Sequence, residues 1–205
     1  FFFFLPAEFK HANIPQVYDF GEFEDEYYIA MEYIPGVDLR EIQKNIVRQE
    51  RRIPTRISLK IMADVLDALH HAHTRVDTFG RTMHIVHRDV NPRNIMISIR
   101  GEIKLIDFGV AKAATKVDQT VGHALKGKFS YMSPEQIEGE KLDGRSDLFA
   151  MGLMFHELIE NRRPFVKMNE VQIMHRILSA NIPPLTDPDD FPYPERFRGV
   201  QGKES

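Results

Sequence analysis

The octapeptide His87-Arg88-Asp89-Val90-Asn91-Pro92-Arg93-Asn94 sets a carboxylate, Asp89, five residues ahead of an amide, Asn94. A second carboxylate, Asp107, follows thirteen residues later with Phe108 and Gly109 behind it. A positioned carboxylate accepts the proton of an attacking hydroxyl, while an amide oxygen and a further carboxylate are the hard oxygen donors that magnesium prefers. Those are the parts of phosphoryl transfer, in which positioning and charge neutralisation carry most of the catalysis. Singly, each has a plainer explanation: an Asp near an Asn makes Asx turns, and Asp-Phe-Gly alone is a weak signal. At this spacing, at the ends of the short β-runs HIVHRD, NIMISI and IKLIDF, they point to phosphoryl transfer.

The elements that must hold these groups are legible in the pattern around them. Val17 to Ile34 gives two β-rich runs about an acidic, Gly-containing turn, a hairpin that Pro35-Gly36 ends. Ile57, Ile61, Val65 and Leu69 recur every four residues, the apolar stripe of a long helix packed on a core. Three short apolar runs follow, HIVHRD, NIMISI and IKLIDF, the last two joined by a tight turn at Arg100-Gly101, and each ends beside a polar residue. Residues 109 to 134 lack a clear period and read as a long functional loop. Asp147 to Leu158 is apolar on nearly all sides, a buried helix with Asp147 near its N-terminus, and Asn169 caps a further helix. After Pro183-Pro184 the chain turns polar and Pro-rich, and no internal repeat is present.

Composition bounds the function. A chain of 205 residues, 42% hydrophobic and 28% charged, buries a sizeable core as one domain. A net charge of -3 without a long basic run implies no nucleic acid, and the Lys44, Arg48, Arg51, Arg52 cluster reads as a solvated helix face. Absence of cysteine removes disulfide and thiolate chemistry and fits a reducing, cytoplasmic setting. No apolar run reaches the ~18 residues of a membrane span. The stretch Phe1 to Leu5, stopped by Pro6, lacks the basic start of a signal peptide and reads as the ragged end of a truncated chain.

These motifs together resemble the eukaryotic-type protein kinases that bacteria also carry. The matches are His87-Arg88-Asp89 with Asn94, Asp107-Phe108-Gly109, Ser133-Pro134-Glu135 as the closure of the activation segment, Arg145-Ser146-Asp147 at a helix start, and Met31-Glu32-Tyr33-Ile34 as the hinge. The resemblance implies an α+β, protein-kinase-like fold. Residues 1-34 would be a remnant of the N-terminal lobe and hinge, 35-182 the helical C-terminal lobe, and 183-205 a divergent tail. It implies ATP and magnesium as cofactors and a protein as substrate. Asp89 would accept the hydroxyl proton, Asn94 and Asp107 would hold magnesium, and Asp147 would hold the catalytic-loop backbone. His87 and Phe108 would stack between the lobes. Met31 would guard the adenine pocket, the Glu32 carbonyl and Ile34 amide would bond adenine, Asp38 would face the ribose, and Met96 would form the floor.

The sequence departs from that pattern in several places. The Gly-rich loop, the strand lysine and its partner glutamate are not found, Glu8 standing too close to His11 to serve. Sequence from a missing N-terminal lobe is therefore an expected partner, and this chain alone is expected to bind ATP weakly. The connection TRVDTFGRTMH is longer than usual and reads as a surface insertion. Arg196 and Arg198 cannot be aligned with the arginine that pairs with the closing glutamate. Asn91 stands where the Ser/Thr branch has lysine, and Lys128 where it has threonine, so the Lys128 ammonium is expected to replace the missing charge. Pro92 and Tyr131-Met132-Ser133-Pro134-Glu135 resemble the Ser/Thr branch, whereas Arg93 resembles the tyrosine branch; the segment before Glu135 forms the shelf for the acceptor residue in that family and weighs more, so serine and threonine hydroxyls are the expected acceptors. Thr120 and then Thr115 are the expected regulatory phosphorylation sites, pairing with Arg88. Two rival readings are a small-molecule phosphotransferase, which lacks the long activation segment, and a catalytically silent kinase-like binding module.

Overall fold

The computed structural model describes residues 10–24, 26–108 and 129–185. The expected hairpin forms strands β1 (Val17–Phe23) and β2 (Glu26–Met31), paired antiparallel with Val17 opposite Met31 and Phe23 opposite Glu26. A second antiparallel sheet orders β3 (Gly36–Asp38), β4 (Ile95–Ser98) and β5 (Ile103–Leu105) side by side. Asp38 stands opposite Met96, and Met96 opposite Lys104. The join of β3 to β4 is close: a Cβ on Gly36 would lie 2.1 Å from the Ile97 carbonyl oxygen, so only glycine fits. Gly101, at φ +80, turns the chain between β4 and β5 as its sequence suggests.

Among the described residues are five α-helices, α1 (Leu39–Arg48), α2 (Thr55–His73), α3 (Pro134–Glu138), α4 (Gly144–Glu160) and α5 (Glu170–Leu178), and two 3-10 turns at Pro92–Asn94 and Phe129–Tyr131. Helix α5 starts at the expected Asn169, whose side chain accepts from the Gln172 amide while Gln172 reaches back to the cap. Helix α2 packs against α4 and β5, and Ile61, Val65, Leu69, Leu105, Met151 and Met154 are buried together in the core.

Two local expectations shift. Ile57, placed at the head of the α2 stripe, is 43% exposed, and Ser58 is buried in its stead. A strict four-residue spacing drifts about 40° per step around a helix of 3.6 residues per turn, which carries Ile57 off the buried face. The run HIVHRD forms no strand, because His84 and Arg88 take left-handed backbone conformations (φ +49 and +67) that a strand cannot continue. The buried helix begins at Gly144, capped by Asp143, and Asp147 stands in its first turn, near the N-terminus as expected.

The long connection after α2 closes on itself through an isolated bridge between Val76 and Thr82. The Asp77 carboxylate accepts from the Phe79 and Arg81 amides at 2.8 and 2.9 Å. No helix of the described residues is long and apolar enough to cross a membrane.

Candidate active site

Asp147 is the anchor of the site. It is buried in the first turn of α4, and its carboxylate accepts from the His87 amide and from the Arg88 amide, each at 2.8 Å. His73, in the last turn of α2, places Nε2 2.8 Å from the same carboxylate. These bonds stabilise the left-handed conformation of Arg88, which would otherwise cost ~1–2 kcal/mol for a residue with a Cβ.

His87 carries the hold onward. Its imidazole is fully buried, with Nε2 2.9 Å from the Ile106 carbonyl and Nδ1 3.3 Å from the Asp89 amide. Burial lowers its pKa, against the opposing influence of the Asp147 carboxylate. A neutral ring with hydrogen on Nε2 satisfies both contacts, since a carbonyl only accepts and an amide only donates. Phe108 lies against it, ring centroids 4.7 Å apart and planes tilted by 55°. The expected stacking of His87 with Phe108 is thus a tilted contact just beyond the end of β5.

Around Asp89 the chain makes a knot. Asn94 Nδ2 donates to the Asp89 carbonyl at 2.7 Å, and the Ile106 amide donates to the Asn94 carbonyl at 2.8 Å. Asp107 follows directly at φ +59, an exposed carboxylate. Two hydrogen bonds thus run from Asp89 through Asn94 to Ile106, and Asp107 is the next residue of the chain. Among the described residues, neither the Asn94 Oδ1 nor the Asp107 carboxylate takes up a hydrogen bond, which leaves the oxygen donors that a magnesium ion requires. Asn91 serves the loop locally. Its Oδ1 accepts from the Arg93 amide at 2.9 Å, and its Nδ2 donates to the Asp89 carbonyl at 2.9 Å and to Asp89 Oδ1 at 3.3 Å. Lys128, Gly109, Thr115 and Thr120 lie outside the described residues.

The residues expected to meet adenine and ribose lie along the two sheets. Met31 ends β2, and Glu32 and Ile34 follow in the link to β3. Burial works against ionisation of Glu32, but the Lys104 ammonium at 2.8 Å and the Gln16 amide at 3.1 Å hold its pKa below the usual value. Lys104 thereby ties the link to the strand that leads to Asp107. Asp38 and Met96 face each other across β3 and β4, so the expected ribose and floor residues are neighbours. One Asp38 oxygen already caps α1, accepting from the Glu41 amide at 2.8 Å.

On the far side of Asp89 stands the segment ending at Glu135. Ser133 and Gln136 form a reciprocal cap of α3, and Glu135 accepts from the Ser146 hydroxyl. The Tyr131 hydroxyl donates to Glu157, which also takes Arg40 Nη1 at 2.6 Å. Burial, and then the Glu157 charge, raise the Tyr131 pKa well above its ordinary value. The sequence pattern does not single out His73, Lys104 or Gln136 as parts of this site. Only Gln136 carries a local signal, the Ser-x-x-Gln spacing of a capping box.

Residues 5–197 match the protein kinase domain family. Over 180 residues the chain is 34% identical to the tyrosine-protein kinase MasK of Myxococcus xanthus, covering 88% of this chain and 28% of that protein. Over 177 residues it is 36% identical to the serine/threonine-protein kinase PrkC of Bacillus subtilis, covering 86% and 26%. The crystal structure of the Mycobacterium tuberculosis PknI kinase domain superposes with a TM-score of 0.60 at 30% identity, covering 78% of this chain and 54% of that one. The chain thus spans roughly a quarter of the length of the two kinases MasK and PrkC.

Proposed function

The chain belongs to the protein kinase domain family, and from that premise we propose that it serves the transfer of the ATP γ-phosphoryl group to serine and threonine hydroxyls of protein substrates. The observation that carries the reading is the bonded path from Asp89 through Asn94 to Ile106, which brings the acceptor of the proton and both magnesium-ligand candidates under one constraint. Asp89 accepts the hydrogen bond of the incoming hydroxyl and takes its proton, and the Asn91 amide steadies its carboxylate. Asn94 and Asp107 would hold magnesium, whose charge offsets that of the phosphates. Lys128 is assigned the cation that Asn91 lacks. Met31, Glu32, Ile34, Asp38 and Met96 form the adenosine side.

Serine and threonine are favoured by Pro92 and by the segment Tyr131 to Glu135 beside the catalytic loop, in agreement with the name of PrkC. Residues 1-34 are read as hinge and N-terminal-lobe strands, 35-182 as the C-terminal lobe and 183-205 as a tail. We read the setting as cytoplasmic, where ATP is supplied. The test is incubation of the full-length protein with magnesium, labelled ATP and a peptide library containing serine, threonine and tyrosine. Phosphoserine and phosphothreonine are expected, and Asp89→Asn abolishes both. Phosphotyrosine instead would move the chain to the branch named by MasK, and no transfer would overturn the reading.

A further inference from the structure

We propose that Gln136 is a positioning residue for the catalytic loop, its side-chain amide fixing the peptide plane from which Asp89 projects; this rests on the kinase reading of the site. Gln136 Nε2 donates to the Arg88 carbonyl at 2.8 Å. That carbonyl shares one planar peptide unit with the Asp89 amide, whose N–H points at His87 Nδ1 at 3.3 Å. One edge of the plane is held by Gln136 and the other by the His87 ring, while Asp147 holds the preceding amide at 2.8 Å. A residue at φ +67 has no regular neighbour to supply those bonds, so side chains must do it.

The geometry of Gln136 admits one orientation. Its Oε1 accepts from the Ser133 amide at 3.0 Å and lies 3.3 Å from the Ser133 hydroxyl, which turns the NH2 end toward Arg88. Only a side chain that accepts at one terminus and donates at the other serves both partners. A glutamate keeps the acceptor for Ser133 but sets a carboxylate oxygen against the Arg88 carbonyl. Gln136 therefore joins the helix that ends the activation segment to the loop that carries Asp89, across a sequence separation of 48 residues. A change in that segment is transmitted to the orientation of Asp89 through one hydrogen bond.

The experiment compares wild type with Gln136→Glu and Gln136→Met in the full-length protein. Gln136→Glu is expected to lower kcat at least tenfold at pH 8 with the KM for ATP unchanged. It should regain activity relative to wild type as the pH is lowered, because a protonated carboxyl again accepts at one oxygen and donates at the other. Gln136→Met loses activity with no such recovery. Hydrogen exchange of the peptide spanning residues 86–90 is expected to rise in both variants while α2 stays protected, a readout independent of turnover. Wild-type exchange in that peptide, or wild-type kcat in both variants, overturns the proposal. A wild-type protein that transfers no phosphate defeats the kinase reading instead, and the exchange data still decide whether Gln136 holds the loop.

Discussion

His73 Nε2 lies 2.8 Å from Asp147 Oδ2, so the end of the core helix α2 touches the carboxylate that also holds the His87 and Arg88 amides. Three donors share two oxygens inside the protein. Gly144 makes room for the arrangement, since a Cβ there would lie 2.6 Å from His73 Nδ1.

Asp147→Asn keeps the shape but turns one acceptor into a donor. One of the three N–H groups then faces an N–H, and the loss of a buried hydrogen bond of this kind is worth ~1–3 kcal/mol. The midpoint of urea unfolding should fall accordingly, and turnover should fall with it, since the loop carrying Asp89 loses its anchor. An unshifted midpoint would show that the loop is held without Asp147.

Gly36→Ala should separate β3 from β4. The added methyl group meets the Ile97 carbonyl oxygen at 2.1 Å, and relief requires the strands to part. Overpacking of this kind typically costs ~1–3 kcal/mol. The displacement also moves Asp38 away from Met96, so nucleotide affinity, read by calorimetric titration with magnesium and ATP, should weaken along with stability. Gly101→Ala, where the same probe meets no atom within 4 Å, should suffer only from its left-handed φ and leave affinity intact.

The buried His87 predicts a pH dependence with a defined sign. Burial depresses its pKa in the folded chain, whereas an unfolded histidine binds a proton below about pH 6.5. Below that pH the unfolded state therefore holds more protons, and stability falls as the pH drops toward the folded pKa. His71, also lowered by burial, acts in the same direction. Thermal midpoints should decline below about pH 6.5, and His87→Gln should show a shallower decline. An unchanged slope in that variant would assign the effect to other groups.

Asn91 contacts the Asp89 carboxylate with an amide and brings no charge. If Lys128 supplies the cation, Lys128→Thr in the full-length protein should lower turnover at least tenfold, about 1.4 kcal/mol in the transition state. Adding Asn91→Lys should restore part of it. Full recovery is not expected, because the Asn91 side chain also accepts the Arg93 amide at 2.9 Å. Additive losses in the double variant would exclude compensation.

What the sequence disclosed was local. The hairpin of β1 and β2, the Arg100-Gly101 turn and the Asn169 cap depend on neighbours within a few residues, and each stood where its pattern indicated. Asp89, Asn94 and Asp107 stand out in the sequence because residue types and spacing of this kind resemble one known set. Their supports do not. His73 meets Asp147 across 74 residues and Lys104 meets Glu32 across 72, and no periodicity encodes such a pairing. In HIVHRD the apolar signal goes with partial burial, His87 buried and Ile85 and Val86 half-buried, but apolarity alone does not distinguish a strand from a loop packed on the core.

The bonds that fix the catalytic loop close chain separations of 19, 48, 59 and 60 residues. Closing long loops precedes any gain from the contacts they permit, so such bonds form late in folding. Helix α2, built from local bonds, is expected to form early. A refolding chain should therefore recover its helical circular dichroism before it recovers turnover, and the interval between them is a time during which the protein is compact and still inert.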